Sequence, residues 1–306
     1  MKNRILLGSL LVTFFSLAFY LTGTARFENA TLKIYGNKDA KDAKVATQST
    51  LNDKTNTNLT PDSLKRTKNS NKALSKVIIK NVDDTTAPVQ ITTENLKHSD
   101  QYANVKNIDQ AQDVGAVLKL FILIAYEKEG KTSQTFKVTS SEIKGNDNSL
   151  QADTAYSGTF LIDLMIRQNN NDAANVLLKA LGTKKVNQIA HSIGATHTKI
   201  TGKFGDDKVG VTTASDLEIV MKKLYQGKIK DTNSDNQVLG QLLNFPNKGL
   251  ASQINGTVYR ISDSHASVAL VQSNNGQVYI MSGINPDNSF NFEKLGSAIN
   301  SWYEKN

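Results

Sequence analysis

The sequence predicts an α/β (α+β) domain with one antiparallel sheet, built from strands at both ends of the chain, and an all-helical subdomain inserted between them. Two short β-branched runs precede the insertion, at residues 77–79 and 89–91. Residues 114–230 carry longer apolar segments with the spacing of helices. Three further strand patterns follow, at residues 257–261, 267–271 and 277–281. We therefore expect a five-stranded antiparallel sheet flanked by helices.

The last two strands and the final helix have clear local signals. Asn274-Asn275-Gly276 separates the two strand patterns, and Asn-Gly is a preferred hairpin turn because both residues adopt positive φ readily. A closing helix is expected from about residue 290 to residue 303. The side chains on one face of this predicted helix are Phe292, Leu295, Ile299 and Trp302.

The N-terminal segment predicts export. Lys2 and Arg4 precede a 17-residue apolar run over residues 5–21, which would span only ~26 Å as a helix at ~1.5 Å per residue. Small residues follow at positions 23–25 and suit signal-peptide cleavage. We assign residues 1–25 to a signal peptide or N-terminal membrane anchor, with membrane contact through residues 5–21 if it is uncleaved. The rest of the chain is then extracellular or on the cell surface.

Composition divides the remainder into two parts. Residues 26–71 are rich in Lys, Asp, Asn, Thr and Ser and poor in large apolar side chains. Such a segment cannot bury enough surface to offset its ordering entropy, so a disordered polar linker is predicted. Residues 72–306 are long enough for one domain, whose helical subdomain covers about residues 114–230.

Several function classes are excluded by composition. The chain has no cysteine, which excludes thiol catalysis, disulfides and lipidation at a lipobox, and suits a Gram-positive cell surface. Its four histidines lack zinc-ligand spacing, and no glycine-rich nucleotide motif occurs, so we expect neither a metal nor a cofactor. The formal net charge of +8 suits adhesion to anionic wall polymers. Basic and aromatic residues do not interleave as in single-strand binders, so no nucleic-acid partner is expected.

The first chemical motif lies in the apolar stretch of residues 114–124. Lys119 is part of this stretch, and Ala116 stands three residues before it. In an S-x-x-K motif the serine opens a helix, and the lysine one turn later helps to remove its hydroxyl proton. The methyl group of Ala116 cannot attack a carbonyl. By itself the pattern also fits a buried core helix whose single lysine reaches the surface.

A second motif follows this helix. Residues 161–166 form an apolar helical pattern ending in Met-Ile, and Asn169-Asn170-Asn171 comes next, framed by Ala173 and Asn175. This order resembles the class A serine β-lactamases and penicillin-binding-protein-like serine hydrolases, in which S-D-N-x-A-x-N follows such a helix. The resemblance extends from about residue 74 to the C-terminus and implies a β-lactamase/transpeptidase-like fold. Further matching segments are residues 194–199 and 211–217.

The resemblance implies a third motif, K-T-G, on a strand beside the site. In the best match, Arg260 stands at the lysine position and keeps its positive charge. Ile261 stands at the threonine position and has no hydroxyl. Ser262 stands at the glycine position and adds a side chain there. The resemblance also implies a loop that supplies a glutamate for deacylation. Residues 201–208 correspond to this loop and contain no glutamate, and its two aspartates are interpreted as solvated.

Literal copies of two motifs occur elsewhere without this context. Residues 141–144 spell S-x-x-K in a polar segment, and residues 234–236 spell S-D-N in what reads as a polar loop. Neither has the apolar helix that accompanies the motif in the family. Both are interpreted as chance matches.

The resemblance implies a site with Lys119 as the retained lysine and Ala116 at the nucleophile position. The implied ligand-binding residues are Asn169, Asn171, Arg260 and Ser262. The first interpretation is an exported, inactive protein of this class that binds a peptidoglycan-derived or β-lactam-like carboxylate ligand through Lys119, Asn171 and Arg260.

Two other interpretations stay open. One is an active β-lactamase-like hydrolase or D-Ala-D-Ala peptidase that uses a displaced serine, such as Ser262 or Ser264. The other is a structural or adhesive surface domain whose cleft is filled by side chains. We expect a monomer in each case.

Overall fold

The computed structural model describes residues 63–82, 86–131, 133–144 and 149–306. All of them lie in the second of the two units into which the chain divides, Asn58–Asn306. The predicted signal peptide or anchor (residues 1–25) and most of the predicted linker fall outside these residues. None of the described helices is long and apolar enough to cross a membrane.

The helices of the described residues begin with α1, which lies before the sheet's main strands, and end with α8 at the C-terminus. Between them, α2 to α7 form the helical subdomain. The bounds are α1 Lys72–Val82, α2 Lys119–Glu129, α3 Gly158–Arg167, α4 Asn171–Leu181, α5 Thr183–Ser192, α6 Ala214–Tyr225, α7 Thr232–Leu242 and α8 Phe292–Lys305.

The strands form one large sheet and two small ones. Their bounds are β1 Lys65–Arg66, β2 Gln90–Asn95, β3 Tyr102–Lys106, β4 Gln112–Val114, β5 Thr135–Lys137, β6 Ala155–Ser157, β7 Lys199–Ile200, β8 Gly210–Thr212, β9 Gly256–Ser262, β10 Ala266–Ser273 and β11 Val278–Ile284. The large sheet has the order β1-β3-β2-β11-β10-β9, with every neighbouring pair antiparallel. The predicted sheet of strands from both chain ends is therefore present, with a sixth, two-residue strand at one edge.

The prediction of a strand at residues 77–79 is wrong, because these residues lie in α1. Leu74, Ile78 and Val82 recur every four residues and are fully buried. This spacing places them on one face of a helix, which packs on the sheet beside α8. The strand missing from the prediction is β3, whose short sequence carries a weaker alternating pattern.

Two predicted boundaries also change. Lys65 and Arg66, assigned to the linker of residues 26–71, pair with Val105 and Lys106 of β3. Backbone pairing with an existing sheet edge orders these residues despite their polar side chains. At the other end, the helical subdomain continues beyond residue 230 through α7, which begins at an Asp231 cap that accepts from the Ser234 N–H.

The sheet separates two apolar cores. On one face, α1 and α8 cover side chains such as Ile91, Ala269 and Met281. On the other face, Ile261, Val268 and neighbouring residues contact the helical subdomain. The helix α2 runs through the centre of that subdomain, and its residues 119–126 are all buried. The candidate site lies where α2 begins.

Candidate active site

Ala116, the residue predicted to stand at the nucleophile position, lies at the entrance to α2. A single 3₁₀ turn, Ala116–Leu118, leads directly into α2, so Ala116 stands one turn before Lys119. Ala116 is partly exposed, whereas Lys119 has no exposed surface. The side chain at residue 116 therefore lies at the mouth of the site, and the lysine lies inside it.

Every proton of the Lys119 ammonium group has an acceptor. Its Nζ donates to Asn169 O at 2.6 Å, to Asn169 Oδ1 at 2.7 Å and to Asn171 Oδ1 at 2.8 Å. An ammonium group has three donors, so none is left for a further ligand. The structure thus brings together three of the sequence-predicted site residues, and it uses the two asparagines to hold the lysine.

The local folding of the asparagine segment explains this arrangement. Asn169 follows α3 with φ +53°, a left-handed conformation that asparagine tolerates. Asn170 caps α4 by accepting from the Ala173 N–H at 2.8 Å. Asn171 then begins the helix and faces Lys119. The segment that corresponds to S-D-N therefore caps a helix and fixes the lysine.

Lys119 lies in a buried environment that lowers its pKa. Burial lowers the pKa of Lys119 to about 7, while Asp263 raises it and Lys248 lowers it further. The ring of Phe204, itself buried, has its centroid 5.6 Å from Nζ. Burial disfavours the charged amine, and the three oxygen acceptors oppose this effect.

Phe204 belongs to the loop of residues 201–208, which the sequence resemblance predicts to be the counterpart of the family's deacylation loop. Asn175 fixes it, because Asn175 Oδ1 accepts from the Phe204 N–H at 2.8 Å and Nδ2 donates to Phe204 O at 3.0 Å. Asp206 and Asp207 are exposed, as interpreted from the sequence, and Asp206 pairs with Lys144. An aromatic ring, and no carboxylate of this loop, therefore contacts the lysine.

Asp263 is the site residue that the sequence did not reveal. Its carboxylate lies just beyond β9 and accepts hydrogen bonds from the backbone N–H groups of Gly115 and Val117, both at 3.1 Å. These two residues flank Ala116. An aspartate before Ser-His at the end of a strand reads as an ordinary turn residue, so only the tertiary contact identifies it.

The structure does not bring Arg260 and Ser262, which were predicted to line the cleft, to Lys119. Arg260 Nη1 donates to Ala251 O at 3.4 Å, and its Nε is buried without a partner. Ser262 is fully buried and donates to Lys248 O at 3.2 Å. Alternate side chains of a strand point to opposite faces. Arg260 pairs with Ala269, which packs in the α1–α8 core, so Arg260 and Ser262 face away from Lys119.

The two literal motif copies lie elsewhere. Residues 141–144 form a turn outside any helix, where Ser141 donates to Glu142 and Lys144 pairs with Asp206. Residues 234–236 lie in the first turn of α7 and not in a loop, so that detail of the prediction is wrong. Neither copy contacts Lys119 through any described hydrogen bond.

The sheet with terminal helices on one face, the helical insertion and the lysine at the start of its central helix define a class of protein. This is the serine-hydrolase fold of the β-lactamase and penicillin-binding-protein type. The sequence profile of the beta-lactamase enzyme family matches residues 69–294, well over half of the 306-residue chain. The chain belongs to this family, and the predicted family and fold class are confirmed.

Solved structures share the fold at low sequence identity. PBP-A has a TM-score of 0.68 at 22% identity, over 77% of this chain and 97% of its own. The TLA-3 extended-spectrum beta-lactamase has a TM-score of 0.67 at 16% identity, over 77% and 99% of the two chains. A beta-lactamase from Sphaerobacter thermophilus has a TM-score of 0.63 at 14% identity, over 76% and 96%. Curated sequences contain no match.

Proposed function

We propose that this chain is a non-catalytic member of the beta-lactamase enzyme family, exported to the cell surface, where it serves as a structural or adhesive domain. The proposal depends on two observations. Residue 116 is an alanine, and every N–H group of the Lys119 ammonium already donates to an asparagine oxygen. The residue in the nucleophile position has no hydroxyl, and the lysine that would accept its proton is committed to Asn169 and Asn171.

Acyl transfer needs three groups, and two of them, the attacking hydroxyl and the loop carboxylate, are absent from the residues that contact Lys119. A hydroxyl must attack the carbonyl carbon, a base must take the hydroxyl proton, and a second base must prime water for deacylation. Ala116 supplies no hydroxyl. The ring of Phe204, and no carboxylate of this loop, contacts Lys119. These replacements support a domain without turnover.

A displaced serine has little geometric support. Ser262 is fully buried and its hydroxyl is bonded to Lys248 O. Ser264 is exposed on the turn between β9 and β10. Neither serine opens a helix, so neither has the amide-lined placement that stabilises the developing oxyanion. We therefore do not adopt the hydrolase interpretation.

Binding of a wall-derived carboxylate at the former catalytic centre is also less favoured than a structural role. To bind Lys119, a carboxylate would have to replace Asn169 or Asn171 as an acceptor of the lysine hydrogen bonds. Arg260, the second expected cation, donates to Ala251 O on the far side of β9. The apolar N-terminal run at residues 5–21 supports export.

The test is acylation by a fluorescent penicillin, followed by intact-protein mass spectrometry on the folded chain. The positive control is the variant of PBP-A that forms an acyl-enzyme complex with penicillin G. We expect no covalent adduct on the wild-type chain and no hydrolysis of a chromogenic β-lactam. Either an adduct or turnover above the rate of a heat-denatured sample would overturn the proposal.

A further inference from the structure

The Asp263 carboxylate is held in one position beside the former nucleophile. Its Oδ2 accepts from Gly115 N and Val117 N, and its Oδ1 accepts from His265 N and Ala266 N at 2.8 Å each. Hydrogen bonds from backbone N–H groups to a charged carboxylate are stronger than those between neutral groups. Two of these bonds connect the β9–β10 turn to the entrance of α2, and the other two fix the carboxylate within the turn itself.

We propose that Asp263 closes the acyl-binding position next to Ala116, so that a hydroxyl at residue 116 is not sufficient for acylation. The inference rests on the proposed absence of catalysis and adds a second cause for it. Loss of the nucleophile removes the reacting atom, whereas Asp263 excludes the acyl donor from the place where it would react.

The exclusion has an electrostatic reason. During acylation the carbonyl oxygen becomes an oxyanion, and enzymes stabilise it with fixed N–H donors about 2.7–3.1 Å away. Here the N–H groups on both sides of residue 116 already point at a carboxylate oxygen. A developing oxyanion beside that carboxylate would be repelled by its like charge. The same charge repels the carboxylate of a penicillin.

The inference assigns Asp263 a role beyond that of a turn residue. A purely structural aspartate would stabilise the β9–β10 turn without affecting chemistry at residue 116. A closing aspartate predicts that its removal increases acylation of a protein that has regained the hydroxyl. The two roles therefore differ in a rate that can be measured separately from stability.

The experiment compares acylation by fluorescent penicillin in Ala116→Ser with that in two double variants, Ala116→Ser/Asp263→Ala and Ala116→Ser/Asp263→Asn. In the reaction the introduced hydroxyl oxygen bonds to the β-lactam carbonyl carbon, the ring C–N bond opens, and the hydroxyl proton passes to the ring nitrogen. The asparagine variant keeps the shape and one acceptor oxygen, which protects the fold. Circular dichroism and thermal unfolding identify the variants that are folded.

The matched control is Ala116→Ser/Asp231→Ala. Like Asp263, Asp231 accepts a hydrogen bond from a backbone N–H at the start of a helix, here from Ser234 N at 2.8 Å. The helix that Asp231 caps is α7 and not α2. We expect a folded Asp263 double variant to be acylated at least ~10-fold faster than Ala116→Ser, since one oxyanion donor is worth roughly 10²–10³ in rate. The Asp231 double variant should match Ala116→Ser.

The outcomes separate this inference from the proposed function. Equal acylation rates in Ala116→Ser and the folded Asp263 double variants, including no acylation in any of them, would overturn the inference. An adduct on the wild-type chain would instead overturn the proposed function. Faster acylation in the Asp231 control would also contradict the role of Asp263, because the effect would then follow from loosening a helix start.

Discussion

Two hydrogen bonds join Lys119 to Asn169, because Nζ donates to the backbone oxygen at 2.6 Å and to Oδ1 at 2.7 Å. Together with Asn171, this pairing connects the start of α2 to the turn between α3 and α4. A lysine with unused N–H groups could bind a ligand, whereas the hydrogen bonds of this lysine connect two segments of the helical subdomain. Its contribution to stability is therefore open to direct measurement.

Lys119→Met tests the contribution of these hydrogen bonds to stability. Methionine retains most of the apolar stem but leaves the Asn169 and Asn171 oxygens without their donor. We expect the free energy of unfolding to fall by roughly 1–3 kcal/mol, the cost of leaving buried polar groups unsatisfied. Urea unfolding monitored by circular dichroism measures it. Lys199→Met, at an exposed position in β7, is the control and should change stability by less than about 0.5 kcal/mol.

Glu218 predicts a pH dependence of stability. It is buried on α6, where burial and a hydrogen bond with Glu94 raise its pKa to about 8, opposed by Lys222. The ordinary pKa of an unpaired glutamate is 4.5, so the folded chain binds more protons than the unfolded chain between pH 4.5 and 8. This contribution to stability is therefore lost progressively as the pH rises through that window.

Glu218→Gln removes the titration. As the pH rises from 5 to 8, the wild type should lose free energy of unfolding that the variant does not lose. The variant should therefore become more stable relative to the wild type. Glu293→Gln, at an exposed position in α8, should leave the wild-type profile unchanged. A difference that does not vary with pH would show that Glu218 titrates normally in the folded chain.

Two helical glycines predict opposite effects of the same substitution. A Cβ at Gly296 of α8 would lie 1.6 Å from Leu250 O, whereas a Cβ at Gly240 of α7 would meet no atom within 4 Å. Gly296→Ala must therefore displace α8 from the segment after α7, and we expect a loss of more than about 2 kcal/mol. Gly240→Ala should gain roughly 0.5–1 kcal/mol, the ordinary helix preference. Thermal unfolding of both variants gives the comparison.

Asn175 predicts local order in the loop of residues 201–208. Its side chain both donates to and accepts from the Phe204 backbone. Asn175→Ala should therefore increase amide hydrogen exchange in this loop more than in α2, because local opening no longer breaks these two bonds. Asn187→Ala, which removes the side-chain bonds to Ile200 at the start of the same region, serves as the comparison. Unchanged exchange at residues 201–208 would contradict the role of Asn175.

Local pattern was sufficient for several parts of the site. Ala116 and Lys119 are one helical turn apart, so their proximity follows from helix geometry alone. The asparagines at 169 and 171 follow from the order of the motifs along the chain. The hairpin of β10 and β11 and the closing helix α8 also carry their own turn and periodicity signals. These features depend on residues that are near one another in sequence.

Tertiary structure decided the rest. Residues 77–79 form a helix because the helical spacing of Leu74, Ile78 and Val82 lets all three pack on the apolar face of the sheet. The local β-propensity of residues 77–79 does not take this packing into account. Arg260 faces away from the site because strand register selects the face of every side chain, and a shift of one residue reverses it. The sequence thus determined the family and the alanine at the predicted nucleophile position. Only the packing of the β9–β10 turn against α2 brought Asp263 to residue 116, because that contact joins segments that are distant in the chain.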